Sequence, residues 1–272
     1  MPLITISRGM GSGGTRIARL VADGLELELF DDQRLQREAV EMGIRSEELE
    51  SLNEKAPGFF DHLWGYKPEL YLDLMESVVY EVARGGEGVI LGHGSQLLLR
   101  DFGCALHCFI RASESSRIHY MMAERGLSDS VARKLIQKSD HERRGFLQFA
   151  FHMNWDDPSL YDLVINTEKL GTQGAAELIM EAARSSEIKE CSLNALESMG
   201  RMALTKKVQA ALLRNNFSLT TLHVEVAEKG VVHINGLTES KQSQAQILKI
   251  VKEVPGVSDV QSGVAVLPAG AV

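Results

Sequence analysis

The stretch LITISRGMGSGGTRIARLVADGL, residues 3–25, sets up an anion trap where a strand meets a helix. Glycines stand at 9, 11, 13 and 14, between the β-branched run Leu3-Ile4-Thr5-Ile6 and the helically spaced Ile17, Ala18, Leu20 and Val21. A glycine-rich turn that opens a helix offers backbone N–H groups to an anion, and the helix N-terminus adds partial positive charge. So dense a set of glycines suits a backbone that is approached closely or takes positive φ. The alternative is a tight turn that holds no ligand. Gly9 to Gly14 has phosphate-loop spacing, yet Thr15 and Arg16 follow where such a loop carries Lys and then Ser or Thr. Arg8 and Arg16 flank the turn and are the cations expected to stand in for the lysine, although a planar guanidinium reaches differently. Ser12 and Thr15 carry the loop's hydroxyls, and Thr15 is the better placed to neighbour a metal ion.

Other residues with chemistry gather where further strands should end. ELELFDDQRL brings Asp31 and Asp32 to the end of a second strand, at the crevice where parallel α/β sheets bind ligands. Either could hold a metal-bound water or orient an acceptor; alternatively Asp32 caps the helix that follows. GEGVILGHGSQLLLR delivers His93, between Gly92 and Gly94, to the same edge, with no acidic partner evident nearby. It contacts substrate phosphate there, or packs. Residues 109–146 concentrate Arg111, Arg117, Arg125, Arg133, Lys134, Lys138, Arg143 and Arg144 on two helical patterns. Some pair with Glu114, Glu124 or Glu142 at the surface. A helical lid carrying the rest suits phosphoryl transfer, which needs positive groups around the moving oxygens. Asp140, three positions before Arg143, places an acid and a base on one helix face. In YDLVINTEKL, Asn166 lines a base pocket or Thr167 caps the next helix.

These residues need a scaffold, and the chain supplies one. Strand-like runs recur at 3–6, 26–30, 88–92, 105–110 and 162–166, most of them short and apolar as strands buried on both faces should be. Helical patterns at 14–25, 32–43, 69–84, 114–125, 129–144 and 172–185 alternate with them, which predicts an α/β unit with a mostly parallel sheet flanked by helices. The insertion 44–68 interrupts this rhythm and reads as a cap over a substrate. A second unit follows, with a helix over 203–216, two alternating strands turning at Lys229-Gly230, a helix over 239–254 and a last strand over 257–266. This is a small αββαβ domain. Val224, Val226, Val232 and Ile234 form its apolar sheet face, and Gly236 ends a strand. The expected division is 1–187, a linker 188–197, and 198–272.

A net charge of −8 over 272 residues argues against nonspecific nucleic-acid binding. No apolar run is long enough for a transmembrane segment, and the N-terminus lacks a secretory pattern. Three cysteines, an odd number with no zinc spacing, fit a reducing cytoplasm, with Cys104 and Cys108 as small core residues.

Together, ITISRxxGSGG at 4–14, FDDQ at 30–33, VILGHG at 89–94, FIRASESSR at 109–117, DHER at 140–143 and YDLVINT at 161–167 resemble the cytidylate kinase-like family of P-loop nucleoside monophosphate kinases. The resemblance implies ATP-dependent, Mg²⁺-assisted phosphoryl transfer to a pyrimidine nucleoside monophosphate, CMP or dCMP foremost. It places the donor phosphates on Gly11 to Thr15, with Arg8, Gly9, Arg16, Arg117 and Asn166 also toward the donor. It sets Asp31, Asp32 and His93 toward the acceptor and Thr15 toward the metal. Arg16, Asp31, Arg143 and Arg144 are then the residues that act on the transfer. Thr15 stands where authentic cytidylate kinases carry the loop lysine, and His93 where they carry an arginine. The lysine-free loop motivates a second reading, a nucleotide sensor with little turnover. The second unit, through GVVHINGL at 230–237 and VPGVSDV at 254–260, resembles a BON domain. That implies contact with a phospholipid, a small ligand or a protein, self-association included.

Overall fold

The computed structural model describes residues 2–44, 68–188 and 190–267. The expected cap, from residue 45 to 67, lies outside the described residues. Two compact units emerge: residues 1–34 with 85–192, and residues 35–84 with 193–272.

The first unit is built on β1 (Leu3–Arg8), β2 (Leu29–Phe30), β3 (Gly88–Leu91), β4 (Ala105–Arg111) and β5 (Leu163–Asn166), ordered β2-β3-β1-β4-β5 and parallel throughout. β1 is central and every one of its residues is buried, so its polar side chains are met by partners rather than by water, Thr5 Oγ1 lying 2.8 Å from His107 Nδ1. α1 (Gly14–Leu25) lays Ile17, Ala18, Val21, Ala22 and Leu25 on the sheet, where they share a core with Ile4, Ile6, Leu91, Cys108 and Ile110. Each large aliphatic side chain buried this way stabilises the unit by roughly 1.5–3 kcal/mol. α2 (Asp32–Glu41) follows β2. The four-residue α4 (Ser95–Leu98) follows β3, α5 (Glu114–Arg125) and α6 (Asp129–Phe151) follow β4, and α7 (Thr167–Ala183) follows β5. The last of these bends at Gly171, whose φ of 65° breaks the helical geometry.

The cysteine reading needs correction. Cys104 and Cys108 are both buried as expected, but Cys104 is bonded to Cys191, across 87 residues of sequence, and Cys108 remains the free thiol. Their distant positions hide the pairing from any local spacing pattern. Burial pushes the Cys108 thiol well above its usual range.

The second unit holds α3 (Pro68–Ala83), α8 (Leu193–Arg214), β6 (Leu222–Glu228), β7 (Val231–Thr238), α9 (Lys241–Glu253) and β8 (Asp259–Val266). β6 and β7 pair antiparallel, and β8 lies parallel to β7 on its other side. The αββαβ order is as read from sequence, with Val224, Val226, Val232 and Ile234 in one core with Ile247 and Val251. Two details differ. α8 begins at Leu193, so half of the segment read as linker is helical. Gly236 lies inside β7 rather than at its end, and it is glycine because a Cβ there would sit 2.0 Å from the Thr221 carbonyl oxygen. α8 also packs on α3, where Lys206 reaches Asp73 at 2.8 Å and Glu76 at 2.7 Å. Burial pushes the Asp73 carboxyl up to about 6, Lys206 opposing that rise.

Candidate active site

All five parallel strands deliver their carboxyl ends to one edge, and Arg8, Asp31, His93 and Asn166 stand at or just beyond those ends. At the centre, β1 runs into the glycine turn. Gly9 N–H donates to the Ile110 carbonyl at 3.0 Å, keeping the turn on the sheet as it leaves β1. Gly11 and Gly13 take φ of 80° and 82°, and Gly13 is the N-cap of α1 with no side-chain cap. The loop's first-turn N–H groups are therefore left for another acceptor.

The glycines also meet neighbours. A Cβ would lie 2.4 Å from Arg8 Cβ at Gly14, and 2.6 Å from Thr172 Cγ2 at Gly13. At Gly11 it would lie 2.8 Å from the Arg117 carbonyl oxygen, and at Gly9 3.1 Å from Arg117 Nη1. Glycine is needed here by conformation and by close approach together. Ser12 turns inward, its hydroxyl donating to the Gly9 carbonyl at 2.8 Å. Thr15 is half-buried on the first turn of α1.

The three arginines nearest the loop differ in setting. Arg8 is buried, with its Cβ behind Gly14. Arg16 is exposed, close enough to Tyr120 for its charge to oppose the upward shift that burial and Glu124 impose on the phenol. Arg117 crosses the loop itself. Its Nη1 and Nη2 donate to the two carboxylate oxygens of Asp140 at 2.9 and 2.7 Å, and Nη1 also donates to the Met10 carbonyl at 3.3 Å. Asp140 therefore serves Arg117 on the neighbouring helix. Three positions further along α6, Arg143 has a partner of its own. It donates to Ser139 Oγ at 2.8 Å, and Arg144 is exposed. Glu114 and Glu142 do take surface partners, Arg133 at 3.3 Å and Lys138 at 3.7 Å.

The acidic pair after β2 divides its work. Asp31, not Asp32, caps α2, its Oδ1 accepting from Arg34 N–H at 3.1 Å. Asp32 is buried against His93, whose Nε2 donates to Asp32 Oδ1 at 3.0 Å. His93 thus has the acidic partner that was not evident in sequence, contributed from 61 residues upstream. Its φ of 59° continues a left-handed run from Gly92 at 85° to Gly94 at 67°, and Phe151 lies against Gly94.

At the end of β5, Asn166 rather than Thr167 caps α7, its Oδ1 accepting from Glu168 N–H at 3.1 Å. Thr167 Oγ1 instead bonds the Ser12 carbonyl at 3.0 Å, so β5 pins the phosphate loop from the side. No local pattern signals that contact, since 155 residues separate its partners. Below the loop, Ser7 Oγ donates to Gln96 Oε1 at 3.1 Å, and Tyr161 OH donates to the Trp155 carbonyl at 2.6 Å. Burial pushes the Tyr161 phenol up to about 12, so it remains a donor. Among the described residues no group of three His, Cys, Asp or Glu side chains suits a metal ion, and no helix is long and apolar enough to cross a membrane.

With this geometry in place, comparison with known proteins is informative. Residues 3–169 match the model of the cytidylate kinase-like family, and residues 202–268 that of the BON domain. The cytidylate kinase of Pyrobaculum islandicum is 27% identical over 183 residues, covering 66% of this chain and 92% of that protein. That of Archaeoglobus fulgidus is 27% identical over 188 residues, covering 68% and 97%. A crystal structure of an uncharacterized protein from Eubacterium ventriosum shares the fold, with a TM-score of 0.53 at 19% identity, covering 68% of this chain and 99% of that one. The residues gathered at the sheet edge lie within the matched stretch, and the chain belongs to the cytidylate kinase-like family, with a BON domain following in the same chain.

Proposed function

We propose that this protein transfers a phosphoryl group from ATP to a nucleoside monophosphate, CMP or dCMP foremost. The observation that carries the reading is the turn after the central strand. There, Gly11 and Gly13 in left-handed geometry open α1 with its first N–H groups uncapped by any side chain. Such a turn holds phosphate through backbone donors, and phosphoryl transfer is chiefly positioning plus stabilisation of spread negative charge. Gly9, Gly11, Gly13, Gly14 and Thr15 hold the donor, Arg16, Arg143 and Arg144 supply charge, and Asp31 faces the acceptor beside the buried Asp32–His93 pair. Mg²⁺ suits this edge as an ion that arrives with the nucleotide. It keeps water and phosphate oxygens as ligands, and needs from the protein little beyond a hydroxyl such as Thr15 and a carboxylate such as Asp31. Bound there, it would neutralise charge on the phosphates.

Residues 1–187 carry this activity, and 198–272 form a BON-like module for a ligand, lipid or protein partner, joined by 188–197. The missing lysine supports one alternative, a nucleotide sensor with little turnover. An acceptor panel of CMP, dCMP, UMP and AMP with Mg²⁺ and ATP, followed by chromatography, separates the two. Diphosphate product from a pyrimidine acceptor is expected. ATP binding with no product from any acceptor would leave only the sensor.

A further inference from the structure

We infer that Thr167, the first residue of α7, is a positioning residue for the donor phosphates, because it holds the Ser12 carbonyl and so aims the Gly13 N–H at them. This rests on the reading of the turn after β1 as a phosphate site.

A backbone donor serves an anion best when its peptide plane is fixed before the anion arrives. The Ser12–Gly13 peptide is trans, so its N–H points opposite to its carbonyl. Thr167 Oγ1 donates to that carbonyl at 3.0 Å. The Gly13 N–H therefore faces away from Thr167, and Gly13, the N-cap of α1, brings no side-chain cap of its own. The next peptide is fixed as well, since the Gly13 carbonyl accepts from Ile17 N–H at 3.0 Å and opens the helix. Gly13 thus sits between two anchored carbonyls. An unheld glycine samples both signs of φ, and the cost of ordering it would fall on binding.

Thr167 is not spent on its own helix, because Asn166 caps α7. Its hydroxyl has one hydrogen, and of the two carbonyls in reach Ser12 at 3.0 Å is nearer than Arg111 at 3.4 Å. A contact that merely fastened α7 to the sheet would be met by Arg111, the last residue of β4, alone. Thr172 supports the same part of the loop, its methyl lying against Gly13. In a regular helix, residues five apart diverge by about 140° around the axis. Gly171 breaks the helix between these two, with φ of 65° and ψ of −175°, a region that glycine alone takes readily. The bend lets α7 present both threonines to residues 12 and 13 of the loop.

Thr167→Val tests this, since it removes the hydroxyl and keeps the shape. ATP and adenosine are titrated by calorimetry into the full chain, parent and variant, with thermal melting to check the fold. Thr167→Val should bind ATP about fivefold more weakly, the loss of one neutral hydrogen bond, with adenosine affinity unchanged. Thr167→Ser, which keeps the hydroxyl, should bind ATP like the parent. Parent-like ATP affinity in Thr167→Val, an equal loss for adenosine, or no rescue by Thr167→Ser would overturn the assignment while leaving the nucleotide site standing. A parent that does not bind ATP would remove both. If Thr167→Val does not fold, Gly171→Ala serves, because nothing else lies within 4 Å of the new Cβ and the change acts on the bend alone. A selective loss for ATP is again expected, and unchanged ATP affinity would overturn the assignment.

Discussion

Two glycine turns lie side by side at the carboxyl edge of the sheet, after β1 and after β3, and they use glycine for different ends. The turn at 9–14 is crowded from outside: Arg117, Thr172 and Arg8 press where side chains would be. It leads into a twelve-residue helix whose N-cap, Gly13, offers no side-chain cap to the first N–H groups. The turn at 92–94 is bent from within, three consecutive left-handed residues that carry His93 into the interior against Asp32. It leads only into a four-residue helix. One turn presents backbone and the other buries a side chain. Similar sequence signatures therefore serve different local ends, uncapped backbone in one case and a buried, paired side chain in the other.

Substitutions can break this contrast, and a glycine outside the edge calibrates them. Gly236→Ala should have the largest effect, because its φ of 143° and the Thr221 carbonyl together leave no room. A loss of about 3–4 kcal/mol is expected from strain plus overpacking. It should appear in denaturant melts of the full chain, with ATP affinity unchanged for the molecules that remain folded. His93→Ala comes next. Removing the imidazole takes from the buried Asp32 carboxylate its partner at 3.0 Å, at about 3 kcal/mol; a stability within about 0.5 kcal/mol of the parent, the ordinary surface range, would mean the pair is not an anchor. Gly94→Ala follows at about 2 kcal/mol, combining left-handed strain with pressure on the Phe151 ring, which has some freedom to move. Smallest is Gly126→Ala, at the end of α5, where φ is 63° but no atom lies within 4 Å of the new Cβ. Strain alone remains, about 1 kcal/mol. If Gly94→Ala proves as mild as Gly126→Ala, the β3 turn is not shaped by its neighbours.

Much of this was legible in the residues and some of it was not, and the division is physical. The strands announced themselves as short β-branched and apolar runs, such as Leu3 to Ile6 with its buried Thr5, and Val89 to Leu91. The αββαβ order of the second unit was equally plain from alternation. Contacts between distant segments left no local trace: Asp32 with His93, Thr167 with the loop, Arg117 with Asp140, and Cys104 with Cys191. Neighbouring residues also traded roles, Asp31 for Asp32 and Asn166 for Thr167 as caps. Either member of each pair satisfies the preference for a short polar side chain at a helix start, and only the backbone path decides between them.

The central claim is that the turn after β1 holds phosphate through its backbone. Its most direct test is the amide resonances of Gly9, Gly11, Gly13 and Gly14 in ¹⁵N-labelled protein, followed during titration with ATP and, separately, with adenosine. The account predicts that the Gly11, Gly13 and Gly14 amides shift with ATP and not with adenosine, while Gly9, whose N–H is already given to Ile110, moves little. Loop amides that stay in place at saturating ATP would contradict it.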